Sequence, residues 1–456
     1  MLVLTSAWRR SLIVEDLSAQ PDASVPQASG DWATTKATYR FWDNPRVQPE
    51  DIIGAHQQST RARLEQQEVI LAIQDTTGLS FNHHPSKTVE QGFGPISSYK
   101  YSMGLKVHSI LAASSEGVPL GILDQQTWAR EPKKKQKRKA KRNSNRPLAQ
   151  KETRRWLTGL VNTELSVPAE TMVVSVADRE ADIYELFALK RAENSELLIR
   201  AAQNRRVDHP SHYLQEAIAK CEPSGSMSVE VHAKDGQVER TAELSIRFGQ
   251  FKLLPPSNRP KSAQLQPVQI TVIWAHEENP PEGCKPISWL LLTTLSVTTL
   301  EDALCCVRWY SYRWLIERFH FALKSGCNIE QLQLESADRI MRALATYSIV
   351  AWRLLWLTYE ARVNPNQSCE IALEGYEWKA LFCHTHQCTQ TPSQPPSLHQ
   401  AIRWIAQLGG FLGRKGDGEP GVKTIWRGLR RLHDIASTWK LLCSQPHTGA
   451  APAACG

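Results

Sequence analysis

The sequence predicts an α/β protein: a mixed sheet with a β-rich insertion, entered and left through helical regions. Three observations carry that prediction. Two short apolar runs each end in an aspartate, VILAIQD at 69–75 and MVVSVAD at 172–178. Between them lie two longer strand-like runs, 104–113 and 119–129, joined by SSEGV. Far downstream, WYSYRWLIERFHFALK at 309–324 has the spacing of an amphipathic helix.

Taken in order, VILAIQD is bounded by the polar TTG and has the length of a buried strand that delivers Asp75 at its end. The runs GLKVHSILAA and PLGILDQQTWA form a hairpin about SSEGV. KETRRWLTGLVNTEL, at roughly 150–165, is helical. MVVSVAD repeats the first arrangement and delivers Asp178. READIYELF after it predicts one helix, with Ile183, Leu186 and Phe187 on a single face and acids in its first turn. ELLIRAA is a further strand. Three antiparallel strands, helix, strand, helix, strand is the order of a ribonuclease H-like fold, which sets its first and fourth strands side by side. A carboxylate buried in a sheet is costly unless paired or metal-bound. For either aspartate alone, a helix cap or a turn residue explains it equally well.

In 309–324, Tyr310, Arg313, Glu317 and Lys324 stand at offsets 0, 3, 7 and 14, within roughly 60° of one another on a helix about 21 Å long. His320 falls on that side, and Leu315, Ile316, Phe319, Ala322 and Leu323 fall opposite. One glutamate among basic and aromatic groups suits a metal-bound carboxylate working on a phosphodiester. The same pattern also fits a salt-bridged surface helix.

With 456 residues there is room for two to four domains. No run approaches 18 apolar residues, so no membrane span is expected, and MLVLTSAWRRSLIVEDL lacks the order of a signal peptide. Ten cysteines at irregular spacing give no secreted disulfide framework, so a reduced cytoplasmic protein at the nucleoid is expected. Nine Lys or Arg and no acid lie in 133–146, and removing them takes the net charge from +8 to −1. That loop would attract DNA without regard to sequence by releasing counterions; it can equally be a solvated insertion. Residues 203–298 are β-rich, with a hairpin about Asp235–Gly236 followed by VQITVIWAHEE and ISWLLLTTL. CHTHQC at 383–388 offers zinc-ligand residue types without a paired C-x₂-C spacing and runs on into linker composition. Residues 397–443 alternate apolar and basic positions at helical spacing.

With these residues in view, the chain resembles the DDE transposases of bacterial insertion sequences, and most closely the insertion-sequence-4 family. That family's signature of Tyr, two residues, Arg, three residues, Glu, six residues, Lys is matched by Tyr310, Arg313, Glu317 and Lys324. AIQDTTGLSF, ADREADIYELF and PPEGCKPISWLLLT are similar to its other blocks. GDWATTKATYRFWDNPRV resembles its end-recognition region, and RWIAQLGGFLGRKGDGEPGVKTIWRGLRRL its C-terminal helices. The likeness runs from about residue 25 to about residue 443.

The resemblance implies cut-and-paste transposition on double-stranded DNA, at terminal inverted repeats and at a target. Asp75, Asp178 and Glu317 would hold two Mg²⁺ or Mn²⁺ ions about 3.5–4 Å apart. Tyr310, Arg313 and Lys324 would grip phosphates, and Trp289 would stack a flipped base; an ordinary core aromatic is the other reading of Trp289. Lys36, Tyr39, Arg40 and Arg200 become candidate DNA contacts, with Arg205 and Arg206 beside them. The implied organisation is an end-recognition region at 1–65, a core at 66–202 and 299–365 interrupted by 203–298, and a helical dimerisation region at 366–456. Two protomers would form the synaptic complex. The chain opens with a shorter basic segment than the family pattern, with only Arg9 and Arg10 ahead of Gln27–Arg46. A truncated, catalytically silent copy that binds ends or inhibits transposition is therefore the alternative expectation.

Overall fold

A computed structural model describes residues 12–84, 86–97, 102–132, 151–231, 240–257 and 265–444. The basic run 133–146 and the turn about Asp235–Gly236 lie outside the described residues. In chain order, helices α1 (12–19), α2 (Val25–Ser29), α3 (Trp32–Asp43) and α4 (Pro49–Leu64) precede β1 (Val69–Ser80), β2 (Gly94–Pro95), β3 (Met103–Ser114) and β4 (Pro119–Trp128). Then come α5 (Arg154–Ser166), β5 (Met172–Ala177), α6 (Tyr184–Ala188), β6 (Ser195–Arg200) and α7 (Leu214–Ile218). Strands β7 (Gly225–Val231), β8 (Arg240–Leu253), β9 (Val268–His276) and β10 (Ser288–Thr293) follow. The chain closes with α8 (Leu300–Ser311), α9 (Trp314–Phe321), α10 (Ala337–Val363), α11 (Gly375–His386), α12 (Leu398–Leu408) and α13 (Val422–Ser444). Two compact units result: a sheet unit, Ile53–Asn82 with Thr88–Glu317, and a helical unit, Met1–Ile52, His83–Lys87 and Arg318–Gly456.

The sheet unit is a mixed sheet in the order β2-β3-β1-β5-β6-β10-β9-β8-β7, with β4 on β3. Strand β1 is antiparallel to β3 and parallel to β5, and β5 is parallel to β6. This is the order expected of a ribonuclease H-like core. The inserted strands continue the same sheet, because β10 bonds antiparallel to β6. One face is closed by a core that joins Trp156 and Leu160 of α5, Tyr184 and Phe187 of α6, and Leu214 and Ile218 of α7 to Ala177, Ile199, Leu292 and Val272 of the strands. READIYELF departs from the single helix expected. Arg179–Ala181 is a 3₁₀ turn, and α6 begins only at Tyr184, because Asp182 is diverted into a buried ion pair with Arg205.

Helix α4 covers the free side of β4. Ile122 N–H donates to His56 Nε2 at 3.1 Å, Arg63 Nε donates to Leu120 O at 2.6 Å, and the Gln57 amide reaches Leu123 O. These bonds occupy edge groups of Leu120, Ile122 and Leu123, which blunts that part of the strand against pairing with another chain. An imidazole that accepts at Nε2 is neutral, and burial, reinforced by Arg63, pushes His56 down to about 3. The sign follows: His56 adds stability above its unfolded value of 6.5, and that stability is lost as pH falls toward 3. The slope approaches about 1.4 kcal/mol per pH unit in that window. Urea unfolding at pH 7, 5.5 and 4.5 should therefore show a steeper acid loss in the wild type than in His56→Gln; parallel profiles would contradict a neutral buried His56.

In the helical unit, α10 is the central rod. It is long and apolar enough to cross a membrane by length and composition, an exception to the expectation from the sequence. In its most apolar window, however, 72% is buried inside the protein. Trp42 of α3 is fully buried, donates from Nε1 to Thr346 Oγ1 at 3.1 Å and lies 6.0 Å from the Tyr347 ring. Arg342 donates to Val47 O at 2.7 Å and Trp42 O at 3.2 Å, which fixes the end of α3 on α10. Helices α12 and α13 meet backbone to backbone through Gly409 and Gly428. A Cβ at Gly409 would lie 1.8 Å from Thr424 O, and one at Gly428 would lie 1.8 Å from Ile405 O.

Candidate active site

The strand registers place the first two carboxylates. The last parallel pair between β1 and β5 is Gln74 with Ala177, so Asp75 and Asp178 come next, level with each other. Adjacent strands lie about 4.8 Å apart and level residues point to the same face. Ala177, Ile199 and Leu292 share the buried core face, so alternation sends Asp75, Asp178, Arg200 and Leu291 to the opposite face. Trp289, two residues before Leu291, points the same way.

Asp75 does not end its strand, as the sequence suggested. Strand β1 continues to Ser80 on β3, with Asp75 opposite Ser109 and Ser80 opposite Gly104. What ends at Gln74 is the pairing with β5, and this opens a gap beside Asp75. Each carboxylate is held by a nearby backbone N–H: Thr76 N donates to Asp75 Oδ1 at 2.7 Å, and Glu180 N donates to Asp178 Oδ1 at 2.9 Å. Asp178 thus also caps the 3₁₀ turn.

The helix expected over 309–324 is broken. Helix α8 stops at Ser311 and α9 starts at Trp314. The junction is closed by tighter i→i+3 bonds, with Arg313 N donating to Tyr310 O at 3.0 Å and Leu315 N to Tyr312 O at 2.9 Å. The Tyr312 ring fills the space above Gly117 in the β3–β4 turn, where a Cβ would lie 2.9 Å from it and φ is +86°. Lys324 stands in a π-helical turn, Ala322–Gly326, of a kind that recurs at functional sites. Tyr310 therefore stands on α8, before the break, and Glu317 on α9, after it.

Glu317 is half-buried and receives Arg313 Nη2 at 2.6 Å. Burial first, then the charges of Asp178 and Glu317, lift Asp75 to about 6 against the opposing Thr76 N–H and Arg313. That dependence brings Asp75, Asp178, Glu317 and Arg313 into one electrostatic cluster. Burial works against the Arg313 charge, but Tyr310, Glu317 and Asp75 outweigh it and raise its pKa.

Other expected site residues are placed differently. Tyr310 is 3% exposed and packs edge-on against Trp289, 5.4 Å between centroids, so it backs the half-buried indole and does not face phosphate. His320 is buried, and desolvation with the nearby Lys324 pushes it down to about 3, so it does not join the charged side. Arg200 donates to Ser288 O at 2.9 Å, tying β6 to β10. Arg205 is buried on Asp182, Nε to Oδ1 2.7 Å, and is structural; Arg206 is exposed. In the helical unit, Lys36 and Arg40 are exposed on α3, while Tyr39 packs edge-on against Trp42 at 6.2 Å. Trp32, 76% exposed, lies one turn before Lys36 on the same face; its i, i+4, i+8 spacing with Lys36 and Arg40 was the available signal. In CHTHQC, His386 stacks on Phe382 at 4.1 Å and meets Trp404 at 4.9 Å.

By chemistry, three carboxylates are hard oxygen donors suited to Mg²⁺ or Mn²⁺. Asp75 is raised chiefly by burial and further by the charges of Asp178 and Glu317, and a divalent ion would offset both. Among the described residues no three His, Cys, Asp or Glu side chains already close on one point, and Glu317 is paired with Arg313.

Residues 7–47 match the family model described as Transposase DNA-binding, and residues 349–449 match the one described as Transposase Tn5 dimerisation domain. At both ends the chain is similar to transposases. The first match contains Lys36, Tyr39 and Arg40, and the second takes in the last turns of α10 together with α11, α12 and α13. In sequence, the mixed sheet with Asp75 and Asp178 falls between these two transposase-like segments.

Proposed function

We propose that this chain is a metal-dependent DDE transposase that cuts the ends of a DNA element and joins them to a target. The observation that carries the reading is the level placement of Asp75 and Asp178, with the Glu317 charge felt at Asp75, between transposase-like DNA-binding and dimerisation segments. Asp75, Asp178 and Glu317 would hold Mg²⁺ or Mn²⁺, two ions in the full site. Bound there, such ions polarise the phosphate and lower the pKa of an attacking water.

The chain's own groups do the rest. Arg313 holds Glu317 in place by a charge-assisted bond and leaves its remaining guanidinium donors for a phosphate. Trp289, backed by Tyr310, offers a partly open indole on the carboxylate face for stacking a displaced base. Lys324 would contribute a further phosphate contact. Lys36 and Arg40, with Tyr39 behind them, would bind duplex ends through phosphates, which fix register but carry no sequence information. The C-terminal helices would pair two protomers, each presenting an end, at the nucleoid in the cytoplasm.

The test is a plasmid carrying the inverted repeats that flank the coding sequence, incubated with the full chain and Mg²⁺, Mn²⁺ or EDTA. Metal-dependent double-strand breaks at the repeats, lost in Asp75→Ala, are expected. Binding to the repeats with no cutting under any metal would replace this reading with that of an end-binding, inhibitory copy.

A further inference from the structure

Behind the two aspartates, on the other face of the sheet, one side chain reaches the residues that hold both of them. Arg155 of α5 donates from Nε to Thr76 Oγ1 at 2.8 Å and from Nη2 to Glu180 Oε2 at 2.7 Å. Its Nη1 donates to Glu152 O at 2.9 Å, and the guanidinium lies over the rings of Trp156 and Trp128, at 5.3 and 5.9 Å. Thr76 and Glu180 are the residues whose backbone N–H groups grip Asp75 Oδ1 and Asp178 Oδ1. Thr76 alternates with Asp75 along β1, so it points to the face that carries α5. His108 Nδ1 meets the same Thr76 hydroxyl at 2.9 Å, which leaves that oxygen little freedom to turn.

We infer that Arg155 is a positioning residue that sets the distance and orientation between the Asp75 and Asp178 carboxylates, acting through Thr76 and Glu180. Lying behind the sheet, it does not touch the reacting atoms. A planar guanidinium with donors in a fixed fork can bridge Thr76 within β1 and Glu180 just beyond β5 as a gauge, which a lysine ammonium cannot do. The inference rests on the reading of Asp75 and Asp178 as metal ligands. Partners of metal ligands are typically worth 10–100-fold in metal affinity.

The test measures Mn²⁺ binding to the full-length protein by the electron paramagnetic resonance signal of free Mn²⁺, with no DNA and no turnover. Arg155→Ala and Arg155→Lys are each expected to weaken Mn²⁺ binding by about 10–100-fold. Thr76→Val and Glu180→Ala, which each cut one arm, are expected to weaken it less. Adding Thr76→Val to Arg155→Ala should cost little more than Arg155→Ala alone, because both remove the same link; a merely structural loss would add. Asp75→Ala separates the two levels of the argument. If it binds Mn²⁺ as the wild type does, the ligand reading falls and the clamp with it. If Asp75→Ala loses binding while the Arg155 variants keep wild-type affinity, the clamp alone is overturned. Should Arg155→Ala fail to fold, by circular dichroism, the single-arm variants decide: wild-type affinity in both overturns the inference.

Discussion

Glu317→Gln is expected to reduce end cleavage by more than about a thousandfold, roughly 4 kcal/mol in the barrier, while binding of the ends persists. Gln keeps the length of the side chain and an oxygen for Arg313 Nη2, so α9 and its 2.6 Å contact survive in outline. What disappears is a negative charge that adds to the effect of burial in raising Asp75 and would hold a cation. Loss of a ligand charge falls on the chemical step, whereas the exposed cations of α3 are untouched. Single-turnover cleavage of a labelled end, run beside a gel shift on the same end, reads both quantities. Cleavage within tenfold of the wild type would remove Glu317 from the site.

The largest effect on stability should come from Asp182→Ala. The Asp182 side chain is wholly buried and Arg205 nearly so. One carboxylate serves the Arg205 guanidinium and accepts from Ala202 N at 2.7 Å and Gln203 N at 3.1 Å. Truncation leaves a buried cation and two backbone donors without that acceptor. Breaking a buried ion pair from one side costs about 3–5 kcal/mol, which in a unit of this size lowers Tm by on the order of 10 °C. Asp182→Asn, which retains an acceptor oxygen, should lose less. Thermal unfolding of both variants checks this, and an Asp182→Ala transition within 2–3 °C of the wild type, about the shift for 1 kcal/mol, would show that the pair is dispensable.

The Asp182 pair also shows where the sequence stops being legible. Periodicity located the β3–β4 hairpin, α5, β5 and β6 because each has an apolar face that must be buried, and the order of these elements, that of a ribonuclease H-like fold, put Asp75 and Asp178 on neighbouring strands. It assigned 179–187 to one helix because Asp182, inside a helical pattern, carries no sign of an arginine 23 residues later. The break at Tyr312–Arg313 was hidden for a related reason. Leu315, Ile316 and Phe319 are buried as a continuous helix would bury them, so their pattern does not register the break beside Tyr312, whose ring packs over Gly117 of a distant hairpin. Tyr310 could be placed beside Arg313 and Glu317 by spacing, but its burial under Trp289 depends on a strand that only tertiary pairing brings there. The extent of β1 past Asp75 depends on β3 being long enough to hold it. Arg155 gave no signal at all, since one arginine on an amphipathic helix is indistinguishable from its neighbours until its three partners are located.

The pairing of β1 with β5 has a bearing on how the protein is made. Asp75 and Asp178 become neighbours only when a parallel ladder closes across about a hundred residues of chain, and Glu317 arrives later still. Contacts this remote in sequence form late and slowly, because the loop must be closed before any of them is rewarded. A chain that stops short of residue 317 lacks Glu317 and also α10, on which Thr346 and Arg342 seat the N-terminal helices. Neither the carboxylate set nor the packing of the N-terminal helices is therefore complete until most of the chain has been made.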